Sequence, residues 1–239
     1  MVHSLTPVSL PPSLSRCDLR LGIDTGGTYT DAVLVNNSDQ VVAGVKALTT
    51  HSDLAVGIGS ALAQLPRSEL GSVGLVSLST TLATNAVVEG QGAPVGLILA
   101  GYSSAQAERA HLEQIVRDGH LLLLDGSHDA TGSESAPLDL DTARRAVFEW
   151  HRKVSAIGVS AIFGVRNPTH EIALREMIRA HTNLPVTCGH ELASSLDAPR
   201  RAATVAINAS LISFISKLIR SVQEILGNLS VDAPLMVVK

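Results

Sequence analysis

Three short apolar segments follow one another near the start of the chain, before any helical pattern begins, and this order restricts the fold more than any other feature. The segments run from Leu19 to about Lys46 and read LRLGID, TDAVLVNN and VVAGVKAL. Gly26-Gly27 separates the first from the second, and the polar stretch NNSDQ separates the second from the third. Short polar breaks between β-type segments are typical of hairpins. The sequence therefore predicts an antiparallel β-meander.

The rest of the chain alternates helical patterns with apolar segments, which predicts an α/β fold with a mixed sheet. The first helix carries apolar residues from Leu54 to Leu65 at helical spacing, with Ser52 or Asp53 as its N-cap. The longest helix is predicted over APRRAATVAINASLISFISKLIRSVQEILG, and it ends at Gly227. Between these two, the predicted elements are a strand VGLVSLS, a short helix in TTLATNAVVEGQG, a strand APVGLILAG, a helix near 104–118, a strand HLLLLDG, a helix over about 141–153, a strand SAIGVSAIFG, a helix over about 168–181 and a short strand PVTCG.

These patterns divide the chain into a flexible tail over residues 1–18, a first α/β unit over 19–101 and a second over 102–239 that holds the long helix. The loop over 126–137 is rich in glycine and serine, which indicates a hinge or a surface excursion. The chain ends in APLMVVK, a pattern of a buried strand. We therefore expect either a truncated chain or one that a partner completes.

The charge and composition exclude several classes of partner. The chain has 18 Lys and Arg against 22 Asp and Glu, a net charge of −4, and only 3% aromatic residues, which disfavours nucleic acid. No window holds 18 uncharged apolar residues, because Lys217 and Arg220 interrupt the longest one, so we expect no membrane span. Cys17 and Cys188 lack metal-ligand spacing and indicate free thiols in a reducing, cytoplasmic environment.

The polar break between the first two strands carries the strongest chemical signal. Glycine permits a positive φ and lets main-chain N–H groups come close to a ligand, and threonine hydroxyls add donors. Mg²⁺ takes few carboxylates while keeping its waters. We therefore predict a phosphate cradle in which Asp24 holds hydrated Mg²⁺ or positions a water. The alternative is a plain hairpin turn. No GxxxxGK[ST] motif competes, and the GIG at residues 57–59 lies in a helical pattern. The residues of this cradle are Asp24, Thr25, Gly26, Gly27, Thr28, Thr30 and Asp31.

Four other polar motifs are weaker. In STTLATNAVVEG, a strand gives way to a helix, so Ser79, Thr80, Thr81 and Asn85 could hold an anion at the helix start; an ordinary N-cap is the alternative. RNPTHE at 166–171 is explained by helix-start rules, and CGHE at 188–191 is too short to argue a thiol nucleophile or a zinc site. Arg200-Arg201 at the start of the long helix indicates an anionic partner or a solvated face.

Taken in order, five motifs resemble the N-terminal half of the hydantoinase/oxoprolinase family. The resemblance covers about residues 19–239 and implies the first lobe of an actin-like or sugar-kinase-like ATPase, a ribonuclease H-like fold whose two lobes close on ATP. It places Asp24 to Thr28 in the first phosphate loop, with Thr80, Thr81 and Asn85 facing the cleft. The motifs are GIDTGGTYTDAVLV, STTLATNAVVEGQGAPVGLI, NPTHE, HELASSLDAPRRAATVAINASLI and APLMVVK.

The resemblance implies ATP- and Mg²⁺-dependent opening of a five-membered cyclic amide such as 5-oxoproline or a hydantoin, by a hydrolase that is weak or inactive as this chain alone. The chain departs from the family pattern in having Leu78-Ser79 where members often carry His-Gly. The second glycine-rich motif lies beyond the last residue, so a C-terminal lobe or a partner subunit is expected, and a homo-oligomer is compatible. The alternatives are a regulatory or assembly subunit of an acetone-carboxylase-like complex, or a small-molecule kinase.

Overall fold

A computed structural model describes residues 18–50, 53–90, 92–116 and 120–238. Residues 1–17 of the predicted tail, which include Cys17, and the alternative cap Ser52 lie outside these residues. In chain order the strands and helices are β1 (Leu19–Thr25), β2 (Tyr29–Asn36), β3 (Val41–Leu48), α1 (Leu54–Leu62), α2 (Arg67–Leu70), β4 (Val73–Thr80), α3 (Leu82–Val88), β5 (Val95–Ala100), α4 (Ser104–Arg109), α5 (Leu112–Ile115), β6 (Leu121–Leu124), β7 (Ser127–His128), β8 (Glu134–Ala136), α6 (Leu140–Trp150), β9 (Ala156–Ala161), α7 (Thr169–His181), β10 (Val186–Cys188), α8 (Gly189–Leu192), α9 (Ala198–Asn228) and β11 (Leu235–Val238).

The chain divides into two compact units. Unit 1 comprises the residues up to Asn85 together with those from Ser216 onward, and unit 2 comprises Ala86–Ile215. The sequence analysis placed the division near residue 101 and gave the whole C-terminal part to the second unit. The structure groups the residues differently because β11 pairs with β4, which returns the end of the chain to the first sheet.

Unit 1 is built on a five-stranded sheet of order β11-β4-β1-β2-β3. The predicted meander is confirmed: β1, β2 and β3 are antiparallel neighbours, and β4 runs parallel to β1. Alternating residues such as Leu21, Ile23 and Leu34 are buried in one core with residues of α1 and the last turns of α9. The period of two therefore leaves the other face of β1 and β2 for Asp24 and Asp31.

Local sequence signals account for most helix boundaries. Asp53 caps α1, because its side chain accepts a hydrogen bond from the backbone N–H of Ala55 at 3.1 Å. The single helix predicted near 104–118 is instead two short helices, α4 and α5. The break lies at His111, whose φ of 51° is left-handed and cannot continue a helix.

Unit 2 contains a four-stranded sheet of order β10-β9-β5-β6 in which all pairs are parallel. Every residue of β5 and β9 is buried, as expected for strands covered on both faces. Residues of α6 and α7 pack in one core, and residues of α4, α5 and the first part of α9 pack in another. The predicted excursion over 126–137 holds the β7–β8 hairpin.

Two apolar segments differ from the prediction. The expected buried strand at the C-terminus, β11, lies at the edge of its sheet, and Met236, Val237 and Val238 are 53%, 44% and 50% exposed. The helix α9 is long and apolar enough to cross a membrane by length and composition. Within it, 28% of an apolar stretch of 18 residues is buried. Both units bury residues of α9 in their cores, for example Ala206 and Val222.

Candidate functional site

The corner between β1 and β2 is a tight turn in which the carbonyl groups of Gly26, Thr28 and Tyr29 accept hydrogen bonds. Thr25 pairs with Thr30, and the backbone N–H of Gly26 donates to the carbonyl of Tyr29 at 3.0 Å. The backbone N–H of Thr49 donates to the carbonyl of Thr28 at 2.9 Å. The Thr49 hydroxyl donates to the carbonyl of Gly26 at 3.0 Å. Thr49 therefore takes up two acceptors of the corner.

The backbone N–H groups of Gly27 and Thr28 have no acceptor among the described residues. Both residues are exposed, so these donors are open to a ligand. Among the carbonyl groups of the corner, that of Gly27 also accepts no hydrogen bond from the described residues. Two adjacent unpaired N–H groups on exposed backbone can bind an anion. These donors support the predicted phosphate cradle against the plain hairpin turn.

The two glycines of the corner are not explained by backbone strain. Neither Gly26 nor Gly27 has a left-handed φ, contrary to one reason given for them from the sequence. A Cβ on Gly26 would lie 3.4 Å from the Tyr29 carbonyl oxygen, and one on Gly27 would lie 3.7 Å from Nδ2 of Asn85, which are ordinary contacts. Since the folded chain has room for side chains here, the remaining reason for glycine is close approach of a ligand to the backbone.

Two carboxylates stand opposite each other beside the corner. Asp24 and Asp31 are register partners on the exposed face of β1 and β2, and Ser79 of β4 lies beside Asp24 on its other side. Like charges placed directly opposite repel each other. Lys46 pairs with Asp31 at 2.9 Å, whereas Asp24 is exposed and has no hydrogen bond or ion pair with the described part of the chain. Asp24 is therefore the carboxylate that remains available for a cation.

This exposed face forms a shallow cavity of about 290 Å³. Its lining includes both carboxylates together with small side chains from β1 and β4, so an ion with its waters has space there. Two further cavities, of about 310 and 400 Å³, lie in unit 2 and contain none of the predicted site residues. The cavity of unit 1 is lined by Gly22, Ile23, Asp24, Asp31, Val33, Ser77, Ser79 and Val238.

The hydroxyl groups of Thr25 and Thr30 do not lie on this face. Both side chains are buried, because the alternation that exposes Asp24 and Asp31 turns their neighbours toward the core. Thr30 shares a hydrogen bond of 3.1 Å with the Thr49 hydroxyl, and Oγ1 of Thr25 has no partner among the described atoms. The expectation that these two hydroxyls add donors to the cradle is therefore not met; Thr49, which the sequence analysis missed, supports the corner instead.

The start of α3 lies beside the corner. The backbone N–H of Thr81 donates to the carbonyl of Thr25 at 3.3 Å, which joins the end of β4 to the end of β1. The hydroxyl of Thr80 accepts from the N–H of Leu82, so it serves the helix start. Nδ2 of Asn85 donates to the Thr81 hydroxyl at 3.3 Å and faces Gly27. Thr81 and Asn85 are thus the polar groups that α3 brings to the site.

Unit 2 contains a polar cluster that sequence reasoning missed. Glu171 is fully buried and accepts three hydrogen bonds: from the N–H of Ala161 at 2.8 Å, from the N–H of His190 at 2.8 Å and from Nδ1 of His190 at 2.6 Å. The helix-start rules explained Glu171 without requiring burial. The available signal was its position, because Glu171 and His190 each follow one of two neighbouring buried strands.

Arg201 and Tyr102 complete this cluster. Arg201 is 1% exposed and donates to the carbonyl groups of Ala161 and Ser195, each at 2.8 Å. Its guanidinium is therefore buried and hydrogen-bonded within the fold, and it does not face solvent to bind the anionic partner that its sequence position suggested. Burial raises the pKa of Tyr102, and its hydroxyl donates to the Ala198 carbonyl at 3.0 Å. These contacts hold the start of α9 against the end of β9.

A metal ion does not fit this cluster. Ligand atoms of Glu171, Cys188 and His190 lie within 4.8 Å of one another. However, burial and the nearby Glu171 carboxylate raise the pKa of the Cys188 thiol to about 12, which disfavours the thiolate that metals bind. The Glu171 oxygens are also occupied by the N–H donors described above.

Comparison with known proteins adds relatives that share most of this chain. The family model described as the hydantoinase/oxoprolinase N-terminal region matches residues 20–182. Caprolactamase subunit alpha of Pseudomonas jessenii is 30% identical over 246 residues, which cover 92% of this chain and 35% of the relative. Acetophenone carboxylase gamma subunit of Aromatoleum aromaticum is 27% identical, covering 80% of this chain and 31% of the relative.

Two solved structures share the fold. The ATP-dependent caprolactamase from Pseudomonas jessenii superposes with a TM-score of 0.72 at 26% identity, over 91% of this chain and 35% of that one. Nucleotide-free acetone carboxylase superposes with a TM-score of 0.69 at 20% identity, over 92% and 36%. The chain thus spans about a third of the length of the curated relatives it matches.

Proposed function

We propose that this chain, which belongs to the hydantoinase/oxoprolinase family, is the nucleotide-binding N-terminal part of an enzyme that opens a cyclic amide at the expense of ATP. The observation that carries the proposal is the pair of unpaired backbone N–H groups at Gly27 and Thr28, beside the unpaired carboxylate of Asp24. The caprolactamase relative supports it, because that protein is described as ATP-dependent and named for a lactam.

The residues of unit 1 fit the phosphates of Mg·ATP. The N–H groups of Gly27 and Thr28 would donate to phosphate oxygens, with Thr81 and Asn85 adding polar contacts from α3. Asp24 would hold hydrated Mg²⁺, which suits an ion that takes one or two carboxylates and keeps several waters. When bound, this ion neutralises charge on the transferred phosphoryl group. Asp31 contributes less, because Lys46 already neutralises it.

ATP has a clear chemical use in such a reaction. An unstrained cyclic amide is a poor electrophile, and placing a phosphoryl group on its oxygen supplies a leaving group. The protein then mainly has to position and electrostatically stabilise the reacting groups, which unpaired backbone N–H groups held in a tight turn can do. We therefore propose a hydrolase acting on a lactam or hydantoin, with ATP and Mg²⁺ as its cofactors.

The proposal includes a partner, either a further lobe or a second subunit. Both named relatives are subunits, and this chain corresponds to about a third of each. Because nucleotide is held between two lobes in the fold that this sequence resembles, we expect weak or absent catalysis from the 239 residues alone. The cytoplasmic location follows the absence of metal-ligand or paired cysteine patterns, and it remains part of the proposal.

A second candidate is carboxylation, or assembly of a carboxylase complex. It is favoured by the acetophenone carboxylase gamma subunit, which matches 80% of this chain. A third, a small-molecule kinase on the same fold, differs in its product. ATP turnover by the complete enzyme separates the three: lactams and hydantoins stimulate a cyclic amidase, ketones with bicarbonate stimulate a carboxylase, and a kinase leaves a phosphorylated product that persists.

The direct test is calorimetric titration of this chain with Mg·ATP. We expect measurable binding that Asp24→Asn abolishes while the fold is retained, and in the complete enzyme the same substitution should abolish ATP turnover. Asp232→Asn is the matched control, because Asp232 is another exposed carboxylate of unit 1. Binding or turnover unaffected by Asp24→Asn would remove Asp24 from the mechanism. A submicromolar dissociation constant would show that a second lobe is not needed for nucleotide binding.

A further inference from the structure

We propose that Glu171 and His190 form a proton-transfer dyad for a second ligand site in unit 2, where Nε2 of His190 receives a proton from the N–H group of a cyclic amide. The choice of ligand class rests on the proposed function; the dyad itself rests on the geometry of unit 2. No comparison assigns a role to either residue.

The first step is the tautomer of His190. A carboxylate only accepts hydrogen bonds, so Nδ1, which lies 2.6 Å from Oε2 of Glu171, carries the hydrogen. In the neutral ring this leaves Nε2 with its lone pair. Nε2 has no partner within the described ranges, and the side chain is 19% exposed against 0% for Glu171. A buried carboxylate thus orients an imidazole whose basic nitrogen is reachable.

The second step is the rigidity of the carboxylate. A Cβ on Gly164 would lie 2.4 Å from Oε1 of Glu171, and a Cβ on Gly189 would lie 3.0 Å from the same atom. Both positions therefore need glycine to let the backbone come this close. Arg201 donates to the carbonyl of Ala161 while Glu171 accepts from the N–H of the same residue, so both side chains are attached to the end of β9. Three hydrogen bonds and two close glycines hold the carboxylate in place, as a positioning residue requires.

The third step is the location. Ala161 ends β9, and His190 follows Cys188, the last residue of β10. These strands are parallel neighbours, so the dyad lies at the carboxyl end of an open parallel sheet, where α/β proteins bind their ligands. A fixed imidazole at that edge can take a proton during a reaction, and the buried carboxylate stabilises the imidazolium that forms.

The proposed step is a proton transfer only. The N–H bond of the amide breaks, its electron pair stays on the amide, and an Nε2–H bond forms on His190. The amide becomes an anion whose oxygen is more nucleophilic. When the amine leaves later in ring opening, the same proton can return to its nitrogen, which restores the neutral imidazole.

The test is nitrogen NMR of the histidine-labelled chain, with hydantoin and caprolactam as probes. We expect His190 to show the Nδ1–H tautomer and its Nε2 signal to shift saturably with a probe. Glu171→Gln should weaken this response. His181→Gln is the control, because His181 ends α7 about 18 Å from its first residue, at 1.5 Å per residue. An Nε2–H tautomer, or no saturable shift with either probe, would overturn the proposal.

A second measurement keeps the test decisive if Glu171→Gln fails to fold. His190→Ala retains the backbone N–H bond to Glu171 and should lower lactam-dependent turnover of the complete enzyme by about 10²- to 10⁴-fold. Added imidazole should restore part of the loss, which a purely structural role does not predict. Mg·ATP binding measured on the same samples separates the two proposals: intact ATP binding without a His190 response refutes the dyad alone, and the reverse result refutes the proposed function alone.

Discussion

Thr49→Val removes the hydroxyl that supports the corner and changes little else. Valine has nearly the shape of threonine, and the backbone N–H of Thr49 still reaches the carbonyl of Thr28. The hydroxyl donates to the carbonyl of Gly26 and shares a hydrogen bond with the hydroxyl of Thr30. Both of these groups lose a partner in the variant. The corner is then free to turn the Gly26 carbonyl toward the place where an anion would bind.

The size of the effect follows from burial. Thr30 is fully buried, so leaving its hydroxyl without a partner costs about 1–3 kcal/mol in the free energy of unfolding. Gly26 is half-buried, and water replaces part of what its carbonyl loses. For Mg·ATP we expect about a tenfold weaker dissociation constant, which corresponds to about 1.4 kcal/mol. Thr49→Ser keeps the hydroxyl and should behave like the unchanged chain.

Urea unfolding and calorimetry measure the two effects separately. The double variant Thr30→Val with Thr49→Val removes the buried hydroxyl that the single variant leaves unpaired. It should therefore recover part of the lost stability, because replacing both partners by apolar groups can be nearly neutral. Its Mg·ATP affinity should stay low, since Gly26 is still unsupported. Thr50→Val is the matched control. If Thr49→Val binds Mg·ATP as tightly as the unchanged chain, Thr49 does not shape the anion site.

Three further predictions concern other positions. Gly27→Ala should leave the free energy of unfolding unchanged or up to about 1 kcal/mol higher in urea titrations, because φ is ordinary and the added Cβ has room. The same variant should weaken Mg·ATP binding in calorimetry. Unchanged binding would contradict the close approach of a ligand to this backbone. Gly164→Ala should lower the free energy of unfolding by about 1–3 kcal/mol or more, since its Cβ would strike Oε1 of Glu171, and a variant of normal stability would show that the cluster can relax. The pKa of the Cys188 thiol is raised from 9.0 to about 12, so its contribution to stability is complete below pH 9 and is lost as the pH rises toward 12. Urea titrations across this pH range should show the loss. Cys188→Ala should make the loss of stability smaller.

The sequence was sufficient where local pattern and local structure coincide. The meander, the α1 cap at Asp53, the succession of buried strands and the resemblance of the corner to a phosphate loop were all read from short stretches, and the fold and the family are confirmed. It was insufficient for the α4–α5 break, because a left-handed φ at His111 leaves no distinctive pattern of residues. The sequence pattern also predicted that β11 is buried, which is wrong. An apolar segment does not reveal whether a neighbouring strand covers it.

By itself, the sequence brought together the residues of the proposed anion site, since Asp24, Gly26, Gly27 and Asp31 lie close along the chain and a hairpin needs no distant partner. Only the tertiary structure decided how each group is used. Thr49 lies 23 residues from Gly26, and Glu171 lies 19 residues from His190, so their hydrogen bonds depend on how separate strands and helices pack. The same packing buries the side chains of Thr25 and Thr30 and pairs Lys46 with Asp31. Asp24 is therefore left unpaired on the exposed face. Period-two alternation fixes which side chains share a face, but only the assembled sheet fixes which face meets the core and which meets a ligand.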